Sequence, residues 1–163
     1  MRAIVISDTH GMGSGLRLML DRIWAMQPGR IDAYIHCGDG VTDFFQTTDY
    51  MKAHDPASEL HVVRGNCDWL ADEDDAPIEE VFRFGGAGVM LCHGHRYSVK
   101  NSREWVDEAG YGRGCAVTLY GHTHTPDVDP RRTLLVNPGS AADGCFAILD
   151  ISGGKANARL YKV

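Results

Sequence analysis

Short apolar runs alternate with helical patterns along the first half of the chain. Ala3–Ile6, Ala33–His36 and Leu60–Val63 are mainly apolar, four-residue runs bounded by turn-forming residues, which predicts buried strands. Between them, Ser14–Met26 and Val41–His54 carry apolar residues at helical spacing, and a serine at the start of the first suggests an N-cap. This βαβαβ order predicts a parallel sheet with right-handed crossovers.

The second half of the chain is richer in strand patterns. A hairpin is predicted from Glu79–Phe84 and Gly88–Leu91, and one short helix at Ser102–Tyr111. Four further strands are predicted at Ala116–Tyr120, Thr133–Val136, Cys145–Ile151 and Asn157–Val163. The acidic run over residues 72–75 is predicted to be a solvated loop. No repeat, low-complexity tract or linker divides the sequence, so a single α/β domain over residues 1–163 is expected.

Residues of metal-binding type follow five of the predicted strands directly. They are Asp8 with His10, Asp39, Asn66, His93, and His122 with His124. Glycine lies next to most of them, which allows a sharp turn and a close approach of the backbone to a ligand. Because α/β folds gather their ligands at the carboxyl ends of strands, these side chains are expected to converge.

Seven nitrogen and oxygen donors are more than one ion needs, but they suit two. In one arrangement, Asp39 bridges both ions. The two remaining sets are Asp8, His10 and His124 on one ion, and Asn66, His93 and His122 on the other. Mixed histidine, amide and carboxylate donors favour Mn²⁺, Fe, Ni²⁺ or Zn²⁺ over Mg²⁺ or Ca²⁺, with Mn²⁺ as the first expectation.

Composition and charge limit which binding partners and which cellular compartment are expected. The net charge of the 163-residue chain is −6, and no basic tract is longer than Arg131–Arg132, which argues against a dedicated nucleic-acid groove. No apolar run approaches the ~20 residues that a membrane helix needs. The five cysteines are scattered without a CxxC pair, so a disulfide framework is not expected. We expect a reduced, cytoplasmic setting instead.

The ordered blocks D-x-H, G-D, G-N, H-G-H and G-H-T-H resemble those of the calcineurin-like metallophosphoesterase superfamily. The short chain, with GNCD at residues 65–68 and NPGS at residues 137–140, is similar to the small YfcE-type phosphodiesterase branch. The resemblance implies a four-layer αββα sandwich of two mixed β-sheets flanked by helices, with a dinuclear metal site at the sheet edge. It also implies the seven ligands named above, and a homodimer or homotetramer would be typical of the branch.

The implied reaction is hydrolysis of a small phosphodiester by a metal-bridging hydroxide. A phosphodiester is anionic and repels hydroxide, and two divalent ions offset that charge while generating the nucleophile. Asp39, Asn66 and His93 are the expected catalytic residues. Asn66, Cys67, His95 and Arg96 are the expected substrate contacts. Larger members of the superfamily have histidine where this chain has Cys67, which predicts slow turnover of poor leaving groups.

Two other function classes compete with this interpretation. The first is a protein-binding scaffold like the retromer subunit of the same fold, which has lost parts of the metal site. Here all seven ligand positions carry competent residues, which disfavours the scaffold. The second is another phosphoesterase, either a protein phosphatase or one that acts on nucleotides, such as a dinucleoside-polyphosphate hydrolase or a nuclease. Cys67 argues against a protein phosphatase or a dinucleoside-polyphosphate hydrolase, although cyclic or short dinucleotide substrates stay open.

Overall fold

Two five-stranded sheets pack face to face in the computed structural model, which describes residues 1–72 and 74–163. The strands and helices, in chain order, are β1 (Arg2–Ile6), α1 (Ser14–Ala25), β2 (Ala33–His36), α2 (Val41–His54), β3 (Glu59–Val62), β4 (Glu79–Phe84), β5 (Ala87–Cys92), α3 (Glu104–Gly112), β6 (Val117–Leu119), β7 (Asp127–Pro130), β8 (Leu134–Asn137), β9 (Cys145–Ser152) and β10 (Lys155–Lys162). Two single 3₁₀ turns cover His95–Tyr97 and Ala141–Asp143.

Each sheet contains three adjacent parallel strands, with antiparallel strands added at one edge of the first sheet and at both edges of the second. The first has the order β10-β9-β1-β2-β3, in which β1, β2 and β3 are parallel and β9 and β10 are antiparallel additions. The second has the order β4-β5-β6-β8-β7, with β5, β6 and β8 parallel. The predicted βαβαβ unit is therefore confirmed, and both sheets present the carboxyl ends of three parallel strands.

Alternation along the central strands explains why they are apolar throughout. Side chains of successive strand residues point to opposite faces. Val5 and Ile35 lie in the core between the sheets, whereas Ile4 and Tyr34 pack under α1 and α2 on the outer face. On the second sheet, Met90 faces outward and packs near Val106 of α3. Both faces of both sheets are covered, so the four-layer αββα sandwich is confirmed.

Local features differ from the sequence prediction at three places. Strand β7 was not predicted, because its residues are mostly polar and it pairs only at the sheet edge, antiparallel to β8. Ser14 is not an N-cap: Gly13 occupies that position, and no side chain caps the helix. Several element ends move by one or two residues, as is usual where helices and strands fray. Glu73, within the predicted acidic loop, lies outside the described residues.

None of the helices within residues 1–72 and 74–163 has the length and apolar character needed to cross a bilayer.

Candidate metal centre

The predicted metal ligands lie at one end of the sandwich, where the parallel strands of both sheets finish. Asp8 follows β1 and Asp39 follows β2, while His93 directly follows β5 and His122 follows β6. Contacts cross from one sheet to the other: the backbone N–H of His122 donates to Asp8 Oδ2 over 3.1 Å. The His93 and His122 rings also meet edge to face, with centroids 5.0 Å apart.

Asp8, His10 and His124 form one cluster of donor atoms. The Nε2 atoms of His10 and His124 are 3.1 Å apart, and Asp8 Oδ1 lies 3.2 Å from His124 Nε2 and 3.7 Å from His10 Nε2. Asp8 is buried, whereas both histidines reach the surface. This is the set that the sequence assigned to one ion.

Asp8, Asp39 and His93 form a second, fully buried cluster that shares Asp8 with the first. His93 Nε2 lies 3.3 Å from Asp39 Oδ2 and 4.0 Å from Asp8 Oδ1. Asp8 Oδ1 and His93 Nε2 are both buried without a hydrogen-bond partner among the described residues. Leaving such groups unpaired costs about 1–3 kcal/mol each, so this pair of atoms indicates a site for a ligand.

The donor atoms fit a divalent transition metal. Two donors that each lie ~2.1 Å from a tetrahedral ion are about 3.4 Å apart, close to the separations between these atoms. The Nδ1 atom of His93 bonds the carbonyl of Cys37 over 2.9 Å, which makes Nδ1 the protonated nitrogen and leaves the Nε2 lone pair facing the cluster. Asp8 Oδ2 is occupied by the Ser7 hydroxyl at 2.6 Å, so Oδ1 is the free donor.

Charge and burial set the protonation of the site. Burial alone would raise the pKa of Asp39, but the nearby His93 and the Cys67 N–H lower it well below its ordinary value. Burial likewise works against a charged His93, yet Asp39 and Asp8 raise its pKa above the ordinary range. Burial and the neighbouring His93 lower the pKa of His122 to about 4, which keeps that imidazole neutral and able to donate a lone pair.

The backbone at the ligands adopts a conformation that side chains rarely take. Five of the seven predicted ligands have positive φ angles between 49° and 69°: Asp8, His10, Asp39, His122 and His124. A non-glycine residue held there stores roughly 1–3 kcal/mol of strain. Such strain persists only where the surroundings fix it, and it accumulates at functional sites.

Backbone hydrogen bonds hold two of these strained ligand positions together. The N–H of Asp8 donates to the Gly38 carbonyl, and the N–H of His10 donates to the Asp39 carbonyl, each over 3.0 Å. These bonds lock the loop after β1 against the loop after β2. Asp8, His10 and Asp39 are therefore placed as one unit.

Asp68 clamps two of the ligand loops, a positioning role that the sequence pattern did not predict. Its carboxylate accepts the N–H groups of Asp39 (2.7 Å), Gly40 (2.8 Å), Val41 (3.0 Å) and Gly65 (2.8 Å). One side chain thereby fixes the loop of Asp39 against the loop of Asn66. The signal available in the sequence was the final Asp of the GNCD block.

Asp43 has a similar role for the loop that carries His10. This carboxylate, in the first turn of α2, accepts the N–H groups of Gly11, Met12 and Gly13 at 2.8–3.0 Å. It satisfies backbone donors of the loop that leads into α1. Burial opposes its ionisation, but these bonds and the Thr9 hydroxyl keep its pKa below the ordinary value.

His36 lies fully buried beneath the loop after β2 and braces it. Its Nδ1 accepts the Gly38 N–H at 3.0 Å, so Nε2 carries the proton and lies 3.4 Å from the Thr9 hydroxyl. Burial lowers its pKa to about 4. His36 is thus a neutral support of the site.

The NPGS block also braces the site. The Ser140 hydroxyl donates to the Asp8 carbonyl over 3.0 Å, and the Asn137 amide donates to the Gly121 carbonyl over 2.8 Å. These bonds tie the loop after β8 to the loops that carry Asp8 and His122.

Of the four predicted substrate contacts, Cys67 and His95 touch residues of the donor clusters. Asn66 and Cys67 are exposed, and the Cys67 N–H donates to Asp39 Oδ1 over 2.7 Å. The amide of Asn66 donates to Cys67 Sγ over 3.3 Å, and no described contact joins it to the other predicted ligands. His95 is half-buried, with its ring 5.4 Å from that of His93, and Arg96 follows it at the surface.

Tyr97 braces the loop that follows β5. Its hydroxyl donates to Glu79 over 2.5 Å, and Arg113 donates to the same carboxylate over 2.7 Å. This network ties the 3₁₀ turn after β5 to the start of β4 and to the end of α3.

Comparison with known proteins identifies the fold and the family. The model of the calcineurin-like phosphoesterase superfamily domain matches residues 1–154. The probable metallophosphoesterase YsnB of Bacillus subtilis is 29% identical, over 99% of this chain and 90% of its own. Zinc-bound Vps29 of Entamoeba histolytica aligns with a TM-score of 0.71 and 22% identity, over 99% of both chains.

A structure described as a novel archaeal phosphodiesterase is also similar, with a TM-score of 0.66 and 20% identity over 99% of this chain and 100% of its own. At these identities, both structures establish the fold alone. The family-model match covers nearly the whole chain, including all five ligand blocks and the strands that carry them. The chain therefore belongs to the calcineurin-like phosphoesterase superfamily.

Proposed function

We propose that this protein is a dinuclear metal-dependent phosphodiesterase that hydrolyses a small phosphodiester. The observation that carries the proposal is the buried pair of unpartnered donors, Asp8 Oδ1 and His93 Nε2, in one cluster with Asp39. In the proposed assignment, Asp39 is shared by two ions, with Asp8, His10 and His124 on one and Asn66, His93 and His122 on the other.

Two bound divalent ions supply the positive charge that offsets an anionic diester, and they make hydroxide accessible at neutral pH. The protein keeps its own groups ready for this chemistry. Asp39 stays ionised because its pKa is lowered, and the Cys67 N–H holds one of its oxygens. Asn66 and His93 are proposed to orient the phosphate, and His95 and Arg96 to contact its outer oxygens. Mn²⁺ is the proposed ion, with Ni²⁺, Fe or Zn²⁺ as substitutes.

Hydrolysis of bis(p-nitrophenyl) phosphate and of p-nitrophenyl phosphate, before and after metal removal, tests the proposal. The protein is stripped with a chelator and reconstituted with Mn²⁺. We expect the diester to be cleaved faster than the monoester and only by the reconstituted protein. Equal cleavage with and without metal, or cleavage of the monoester alone, would contradict a metal-dependent phosphodiesterase.

Cys67 is expected to limit the range of leaving groups. Burial and the nearby Asp39 raise the pKa of its thiol, so it is protonated at pH 7 but too weak an acid to assist departure of a poor leaving group. Cys67→His should raise kcat for an unactivated alkyl diester at least about tenfold, with little change for p-nitrophenyl diesters. The slope of log kcat against leaving-group pKa measures this effect.

Cys67→Ser serves as the control, because it preserves size without adding an acid. It should leave the slope as in the wild-type protein. If Cys67→His also leaves the slope unchanged, the account of this position is wrong.

The remaining proposals concern the domain organisation, the cellular location and the oligomeric state of the protein. We propose that residues 1–163 act as one domain in the cytoplasm, in keeping with five cysteines that are all free thiols. A homodimer or homotetramer is the proposed assembly. A Vps29-like scaffold remains the main competitor, and it predicts metal binding without any hydrolysis of the diester.

A further inference from the structure

A cavity of about 380 Å³ opens beside the proposed metal centre. His10 and Asp39 form the wall that it shares with the centre, and Thr42, Cys67 and Asp68 form other parts of its lining. A phosphate held by the ligand cluster would thus have room on this side for one of its two organic groups. The cavity lies between the loop after β1, the start of α2 and the loop after β3.

A tight turn begins at Asp68, which lines the cavity, and it carries two large apolar side chains in solvent. The N–H of Ala71 donates to the Asp68 carbonyl over 3.0 Å, which places Trp69 and Leu70 at the two central positions of the turn. Trp69 is 81% exposed and Leu70 is 86% exposed.

Both ends of this turn are fixed to the rest of the molecule. On one side, the Asp68 carboxylate holds the backbone of Asp39, Gly40 and Gly65. On the other, the Arg64 guanidinium donates to the Ala71 carbonyl over 3.1 Å. The turn is therefore anchored next to the cavity, while the two apolar side chains at its tip are free of packing.

The environment of Trp69 differs from that of Trp24. Trp24 stacks on His54 with ring centroids 4.0 Å apart, and its indole N–H donates to the Tyr34 hydroxyl, so it is used in packing. The Trp69 indole lies in water, and its neighbour in the chain, Asp68, lines the cavity. Such an indole is suited to a ligand, because tryptophan offers a large flat surface with few rotatable bonds.

We propose that Trp69 is a specificity-determining residue that stacks on a flat aryl or heteroaryl ring of the phosphodiester where that ring projects from the cavity beside Asp68. The proposal rests on the proposed phosphodiesterase function and names its substrate class. Asp39, Asp43 and Asp68 all border the cavity. Their carboxylates disfavour a second phosphate there, so the ring-bearing group carries no negative charge of its own.

Two diesters with the same leaving group isolate the effect of stacking. Bis(p-nitrophenyl) phosphate keeps an aryl ring as its second group, whereas ethyl p-nitrophenyl phosphate has an alkyl chain there. For Trp69→Ala, the ratio of kcat/KM for the aryl diester to that for the alkyl diester should fall about tenfold, mainly through KM. Trp69→Phe should restore most of the ratio. Trp105→Ala, at an exposed tryptophan on α3, is the matched control and should leave it unchanged.

Binding provides a readout that does not depend on turnover. Calorimetry with the Mn²⁺-loaded protein should show thymidine 5′-monophosphate binding more tightly than inorganic phosphate. In Trp69→Ala, that difference should shrink about tenfold while the Kd for phosphate stays the same.

The outcomes separate the two proposals. Equal loss of activity towards both diesters in Trp69→Ala, or an unchanged ratio, overturns the role of Trp69 and leaves the phosphodiesterase standing. If the wild-type protein cleaves neither diester, the proposed function fails and the calorimetric comparison alone decides. An affinity difference that Trp69→Ala does not reduce, or no difference at all, then overturns the stacking role as well.

Discussion

Asp39→Asn is expected to lower kcat/KM for bis(p-nitrophenyl) phosphate at least about 10³-fold, because a carboxylate proposed to bridge two ions is replaced by a neutral amide. Loss of several kcal/mol of metal-derived stabilisation corresponds to such a factor. The fold itself should survive the change. Asparagine tolerates the positive φ of 58° at this position, and its carbonyl can still accept the Cys67 N–H.

Thermal unfolding with and without Mn²⁺ separates these effects. The metal-free Asp39→Asn protein should unfold within a few degrees of the wild type, whereas the rise in Tm on adding Mn²⁺ should largely disappear. Asp49→Asn, at an exposed position of α2, is the control and should match the wild type in both assays. Full activity in Asp39→Asn would remove Asp39 from the metal centre.

Asp68→Asn is expected to lower the free energy of unfolding by about 2–4 kcal/mol. Each carboxylate oxygen of Asp68 accepts two backbone N–H groups. Oδ2 accepts those of Asp39 and Gly65, and Oδ1 accepts those of Gly40 and Val41. In the variant, an NH₂ group must face two of these donors. The loops of Asp39 and Asn66 should then separate, and the affinity for Mn²⁺ should fall together with the stability.

Urea unfolding of the metal-free protein measures the change in stability, and calorimetry with Mn²⁺ measures the change in affinity. Asp72→Asn is the matched control, because Asp72 Oδ1 alone accepts the N–H groups of Asp74 and Asp75, and asparagine keeps that oxygen. It should be nearly neutral. If Asp68→Asn were equally neutral, the clamp would not hold the site together.

The strands and the ligand positions could be predicted from the sequence because their signals are local. Apolar runs such as Ala33–His36 mark strands buried on both faces. The change from an apolar run to Asp, Asn or His beside glycine marks the strand ends. Such a signal needs no knowledge of distant contacts, and it located the convergence of Asp8, Asp39 and His93.

The supports of the site could not be predicted in the same way, because they join distant parts of the chain. Asp43 bonds a loop about 30 residues away, and Asp68 bonds backbone 27–29 residues away. In the sequence, each is only an Asp near a loop. Ser14 was predicted as a helix cap from its residue type alone, whereas Gly13 occupies the N-cap position and no side chain caps the helix.

The most direct test of the dinuclear phosphodiesterase is the titration of the metal-free protein with Mn²⁺, with hydrolysis of bis(p-nitrophenyl) phosphate followed at each addition. The account predicts that activity rises until two equivalents are bound and then stays constant. Two ions bound with no hydrolysis would contradict it and favour the Vps29-like scaffold, and activity that saturates at one equivalent would contradict the shared role of Asp39.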